Sequence, residues 1–89
     1  MERKITLPIV HLNGTSARDL TEGYCRAAVA VQDALIAVGK IEFNARDYYP
    51  VDGLWDAALK ERGAQVLALH NMHLDLQKIA EHCSQFIKP

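Results

Sequence analysis

The sequence predicts an all-α fold: a long αα-hairpin with a short N-terminal extended segment, assembling into an oligomeric helical bundle. Three observations predict it. Apolar residues recur at spacings of three and four over two long stretches, about residues 16–39 and 53–87. One polar, aromatic loop, 40–53, separates them. Each stretch also carries apolar residues off its main stripe, more than two paired helices can bury. The 89 residues make one domain, 1–89. A chain this short buries a limited core and gains from a partner.

The extended arm, residues 1–14, includes Lys4-Ile5-Thr6-Leu7-Pro8-Ile9-Val10-His11-Leu12. β-branched residues are dense there, and Ile5, Leu7 and Ile9 alternate with other positions, so the segment reads as extended chain or a short strand. Pro8 cannot donate to a ladder and restricts any strand to an edge. With no second strand in the chain, the arm must lie against the helices or pair with a copy of itself.

Asn13-Gly14-Thr15-Ser16 breaks the pattern. Thr15 or Ser16 suits a helix N-cap, and Ser16 with Asp19 three residues on fits a variant of the capping box. Leu20, Tyr24, Ala27, Ala28, Val31, Leu35 and Val38 then form the seam of helix 1, 16–39. Gly39 is a fitting stop, and Lys40 adds a cation at the negative helix end.

The loop 40–53 holds Phe43, Arg46, Tyr48, Tyr49, Pro50 and Gly53. It is long and aromatic for a connection, and long loops are more often functional. Asp52 is placed to cap helix 2, whose seam runs Trp55, Leu59, Val66, Leu69, His73, Leu76, Ala80, Cys83, Ile87 over 53–87. Gly63 interrupts that seam at about 1 kcal/mol relative to alanine. Val29 and Ile36 lie off the seam of helix 1, and Leu67 and Leu74 lie off the seam of helix 2. This second stripe predicts a homo-oligomer, most simply a dimer forming a four-helix bundle. Cover by the arm alone is the competing expectation.

Composition excludes some classes. A formal net charge of −1 argues against a nonspecific duplex-DNA binder. The apolar stretch near the N-terminus is broken by Pro8 and His11 and is too short for a signal core or a membrane span. No membrane partner is expected, and the expected location is the cytoplasm. A disulfide between Cys25 and Cys83 is geometrically open, while the lack of a secretory signal favours two reduced thiols.

Two stretches carry candidate chemistry. At 9–17, Gly14 would let the backbone approach a ligand or take positive φ. Helix N–H groups near Thr15, Ser16 and Ala17 would favour an anion, with Arg18 and His11 adding charge. No nucleotide-binding glycine motif is present, and an ordinary N-cap explains the same residues. In Arg46-Asp47-Tyr48-Tyr49-Pro50, arginine suits a phosphate and tyrosine rings suit a base. A structural plug, with the rings closing the hairpin, is the alternative. His70 and His73 share a helix face, but no carboxylate completes a ligand set, so no metal is expected. His73 falls on the seam, where a buried, hydrogen-bonded role fits. Lys60, Glu61, Arg62, Lys78 and Glu81 read as a solvated face, with Arg62 on the seam period. No nucleophile, base and oxyanion donors form a catalytic set, so neither an enzyme nor a cofactor is expected.

The opening Ile9-Val10-His11-Leu12-Asn13-Gly14-Thr15-Ser16, with Arg46-Asp47-Tyr48-Tyr49-Pro50 between two helices, resembles a group of small phage and prophage proteins, mostly of unknown function. The likeness spans nearly the whole chain and rests on those two motifs. Members often carry glycine before the loop arginine, where this chain has Ala45. By architecture alone the chain also looks like phage sponge proteins, small helical oligomers that sequester cyclic nucleotides or related immune messengers. The resemblance implies action in a bacterial host cell. The expected function is to bind and sequester a nucleotide-derived anionic ligand without turnover. His11, Asn13, Thr15, Ser16 and Arg18 would hold phosphate. Arg46 would add charge, and Tyr48 and Tyr49 would stack on a base. The two groups lie at opposite ends of helix 1, about 35 Å apart, and would meet only between antiparallel copies. The alternative is a module that binds and regulates a host protein.

Overall fold

Helical periodicity becomes two helices in the computed structural model, which describes residues 4–88. Helix α1 spans Ala17–Gly39 and α2 spans Leu54–Ser84, with a single 3-10 turn, Ala45–Asp47, in the loop between them. They pack side by side as an antiparallel hairpin. Ala28 is level with His73, whose Nδ1–H donates to the Ala28 carbonyl at 2.9 Å. Val38 is level with Arg62, whose guanidinium donates to the Val38 carbonyl.

The first helix starts as its residues require. Ser16 is the N-cap, and its hydroxyl accepts from the Asp19 N–H at 3.1 Å. This satisfies one of the N–H groups that a helix start leaves outside its ladder. Ser16→Ala is expected to cost about 1 kcal/mol, while Ser16→Asp keeps the cap. Thermal melts of the two variants at one protein concentration check this, and equal melting points would remove the cap's role.

The second helix departs from expectation at both ends. Its N-cap is Gly53, in the left-handed region at φ 84°, with no side-chain cap from Asp52. Only glycine takes that conformation cheaply, so the turn geometry overrides the capping carboxylate. The helix closes at Ser84 rather than 87. Gln85, Phe86 and Ile87 instead donate to carbonyls three residues back, from His82 to Ser84. The chain tightens there, and Phe86 packs edge-on against the His82 ring at 5.4 Å.

Small residues dominate the deepest layer. Ala17, Ala28, Ala58 and Ala80 are buried, and Cys83 is fully enclosed. Small side chains on both helices let the axes approach closely, at the cost of a thin core. Cys25 is exposed, and both thiols are free.

Among the described residues the arm forms no strand; the first three residues of the expected arm lie outside them. Residues 4–11 are extended, with His82 Nε2–H of α2 donating to the Pro8 carbonyl at 2.8 Å. Nine residues separate His73 from His82, which puts them on opposite sides of α2. The arm therefore covers the His82 side, while His73 packs toward α1 and borders a groove that the arm does not reach. On α1 Val29 and Ile36 remain 60% and 48% exposed, and on α2 Leu67 and Leu74, which spacing places between the two sides and facing away from α1, remain 58% and 43% exposed. The arm does not cover the second stripe.

The hairpin is long and thin, 61 × 26 × 17 Å, with a radius of gyration of 18.4 Å. A compact chain of this length would give about 12 Å. Among the described residues no helix is long and apolar enough to cross a membrane.

Candidate functional site

The two stretches singled out by sequence sit at opposite ends of the rod. Where α1 begins and α2 finishes, a cavity of about 560 Å³ opens between the arm and the C-terminal segment. Small-ligand sites occupy about this range. His11, Gly14, Ser16 and Arg18 line it, joined by Phe86 and Lys88. Asn13 and Thr15 are exposed and are not among the lining residues.

A tight turn shapes this arm-end cavity. The Gly14 N–H donates to the His11 carbonyl at 3.1 Å, and the His11 ring folds back over Gly14. A Cβ on Gly14 would meet His11 Nε2 at 3.0 Å and Cε1 at 3.1 Å. Glycine lets the imidazole approach this closely, and a larger residue would displace the exposed His11 ring by a few tenths of an ångström. Positive φ is not the reason, because Gly53 alone has it among the described glycines. Ser16 has its hydroxyl committed to the Asp19 cap. That leaves the N–H groups of Ala17 and Arg18 outside the helix ladder at the positive end of the α1 dipole. Three basic side chains, His11, Arg18 and Lys88, thus border a helix start.

The loop end divides its residues differently. Tyr48 packs on Phe43 at a centroid distance of 5.9 Å and on Trp55 at 5.7 Å, and Phe43 and Trp55 meet at 4.9 Å. The Arg62 guanidinium lies 4.9 Å from the centre of the Phe43 ring. This cluster covers the first turns of α2, beyond the reach of the shorter α1. Tyr48 is therefore engaged in packing, in keeping with the structural-plug alternative. Tyr49 is 82% exposed, and Arg46 and Asp47 are exposed on the 3-10 turn. Within one chain, the α1 length of about 35 Å separates Arg46 and Tyr49 from the arm-end cavity.

A second concavity runs along the open side of the hairpin. This groove of about 410 Å³ is lined mainly by Cys25, Val29 and Gln32 of α1 and His73, Gln77 and Ala80 of α2. His73 already donates to Ala28, and His82 to Pro8. Among the described residues, no three His, Cys, Asp or Glu side chains converge in a set that could hold a metal ion.

Sequence reasoning missed Phe86, Ile87 and Lys88 at the arm end. Their approach to His11 joins the two ends of the chain, and no local pattern signals it. It also missed the groove as a concavity, although the off-seam position of Val29 marked one of its lining residues.

No protein-family model matches the chain, and no match to it was found among the curated proteins or the solved structures.

Proposed function

We propose that the protein is a self-associating helical hairpin that binds and sequesters a small anionic, nucleotide-like ligand without turning it over. The observation that carries this reading is the arm-end cavity, where His11, Arg18 and Lys88 border the start of α1. A phosphate there would meet helix N–H groups, a favourable dipole and two permanent cations. Ser16 contributes by shaping the helix start and Gly14 by seating His11. Asn13 and Thr15, exposed beside the cavity, would contact the ligand from its rim. The likeness of both motifs to small phage proteins, with the architecture-level likeness to phage sponge proteins, is the ground for proposing an anti-defence role in a bacterial host cell.

Self-association is supported by surface area. The chain exposes 7131 Å², where a compact monomer of 9.9 kDa exposes about 5,200 Å². The excess is about what a sizeable dimer interface removes from each partner.

Calorimetry against cyclic dinucleotides, cyclic trinucleotides and ADP-ribose tests the ligand. At least one should bind, and Arg18→Ala with Lys88→Ala should weaken it by about 100-fold, two lost charge-assisted contacts at the low end of their usual worth. Folded protein that binds none of them at millimolar concentration would remove the sequestering role. A second reading, a module that docks on a host protein, is favoured by the exposed Val29, Ile36, Leu67 and Leu74. Retention of a defined host protein with no bound nucleotide would select it.

A further inference from the structure

We propose that Phe86 supplies the stacking face for the base of a nucleotide held in the arm-end cavity, so that one chain carries both the phosphate and the base contacts. This rests on the reading of that cavity as an anion site and names the part of the ligand that the cations do not address.

The loop tyrosines do not fill this role within one chain. Tyr48 is engaged with Phe43 and Trp55. Tyr49 stands at the other end of α1, about 35 Å away. The cavity has an aromatic ring of its own. Helix α2 closes at Ser84, and the Phe86 N–H then donates to the Cys83 carbonyl at 3.1 Å. Cys83 is fully enclosed, so this turn ties the backbone of Phe86 to the innermost layer of the hairpin.

The ring is held without being covered. It meets the His82 ring at a centroid distance of 5.4 Å and an interplanar angle of 63°. At so steep an angle one ring presents an edge to the other, so Phe86 keeps at least one face clear of His82. His82 is in turn fixed by its hydrogen bond to the Pro8 carbonyl of the arm. Phe86 remains 47% exposed and lines the cavity.

The rest of the wall matches a ligand with two unlike ends. His11, Arg18 and Lys88 are basic, and among the described lining residues none is acidic. Val10 and Ile87 add apolar surface beside the ring. The groove on the open side differs, since it includes Glu81 and no lysine or arginine. Phe86 and Lys88 are two residues apart and both line the cavity, so one short segment offers a ring and a cation together. A flat base gains about 1–3 kcal/mol from stacking on one aromatic side chain. An alkyl body would gain from Val10 and Ile87 without needing a ring fixed in place.

Paired titrations with AMP and ribose 5-phosphate, the same phosphate and sugar without the base, read the assignment by nuclear magnetic resonance. AMP is expected to bind about tenfold more tightly. Phe86→Leu keeps apolar volume in the wall and is expected to erase that preference while leaving ribose 5-phosphate affinity unchanged. Phe86→Tyr keeps the ring and should retain the preference. In the unsubstituted protein, AMP should also shift the Phe86 ring-proton signals, a readout that needs no variant to fold. Ring signals that stay put at saturation overturn the assignment. So does equal affinity for the two probes, a preference for AMP that survives Phe86→Leu, or hexyl phosphate binding as tightly as AMP. Folded protein that binds neither AMP nor ribose 5-phosphate at millimolar concentration instead removes the anion site itself, and the base contact with it.

Discussion

Phe43→Ala is expected to lower the melting temperature by roughly 15 °C, the equivalent of about 3 kcal/mol in a domain of this size. The ring lies at the centre of the loop-end cluster, in contact with Trp55, Tyr48 and Arg62 at once. Truncation removes its own burial and two aromatic contacts, each worth about 1 kcal/mol beyond area. It also takes the apolar surface from beneath a guanidinium. Trp55 and Tyr48 would then cover the first turns of α2 without their common neighbour. Phe43→Leu keeps most of the volume and should recover about half the loss. Thermal melts at one fixed protein concentration check both, since association adds to apparent stability. A shift of only a degree or two for the alanine variant would show that the cluster does not hold the hairpin's closed end.

Arg62→Met is expected to destabilise by about 2 kcal/mol. Sequence reading placed Arg62 on a solvated face while noting its seam period. In the structure it reaches from α2 across to α1, where it donates to the Val38 carbonyl in the last helical turn. That carbonyl also accepts from the Ile41 N–H at 3.1 Å. A guanidinium here meets the negative end of the α1 dipole, and the hydrogen bond is charge-assisted. Lys40, the cation expected for this role, occupies the C-cap but is exposed, and the bond comes from the other helix. Methionine retains the side-chain length and loses both effects. Arg62→Lys should recover less than half, because an ammonium cannot reach the carbonyl and cover a ring with one planar group. A double-mutant cycle with Phe43→Leu should give a coupling of about 0.5–1 kcal/mol. Additive losses would mean the two side chains act independently.

Local features of the fold were legible, and those that depend on distant residues were not. The α1 boundaries follow from apolar spacing and from Ser16 three residues ahead of Asp19, both short-range signals. His73 as a seam histidine with a hydrogen-bond partner was also readable, because its neighbours at Leu69 and Leu76 fix its face. The start of α2 was misread because Asp52 has the chemistry of a cap while Gly53 has the backbone freedom the turn demands. Its end was misread because the apolar pattern continues through Ile87 while the chain leaves the helix after Ser84. At the loop, Tyr48 and Tyr49 look alike in sequence, yet one packs on Phe43 and Trp55 and the other stands in solvent. Only the positions of those distant rings separate them. The arm-end cavity combines residues 10–18 with 86–88, a pairing set by the tertiary path alone.

The slender outline, 61 Å by 17 Å in its extreme dimensions, affects how the particle's mass is measured. A rod drags more solvent than a sphere of equal mass, so a lone chain elutes early from a sizing column, where a rounder particle of greater mass would run. Two rods laid flank to flank nearly double the thickness and add little length, so pairing changes elution less than it changes weight. Column position alone would therefore overstate the single chain and understate the difference on pairing. Scattering at zero angle, which reads mass without reference to shape, separates the two species cleanly.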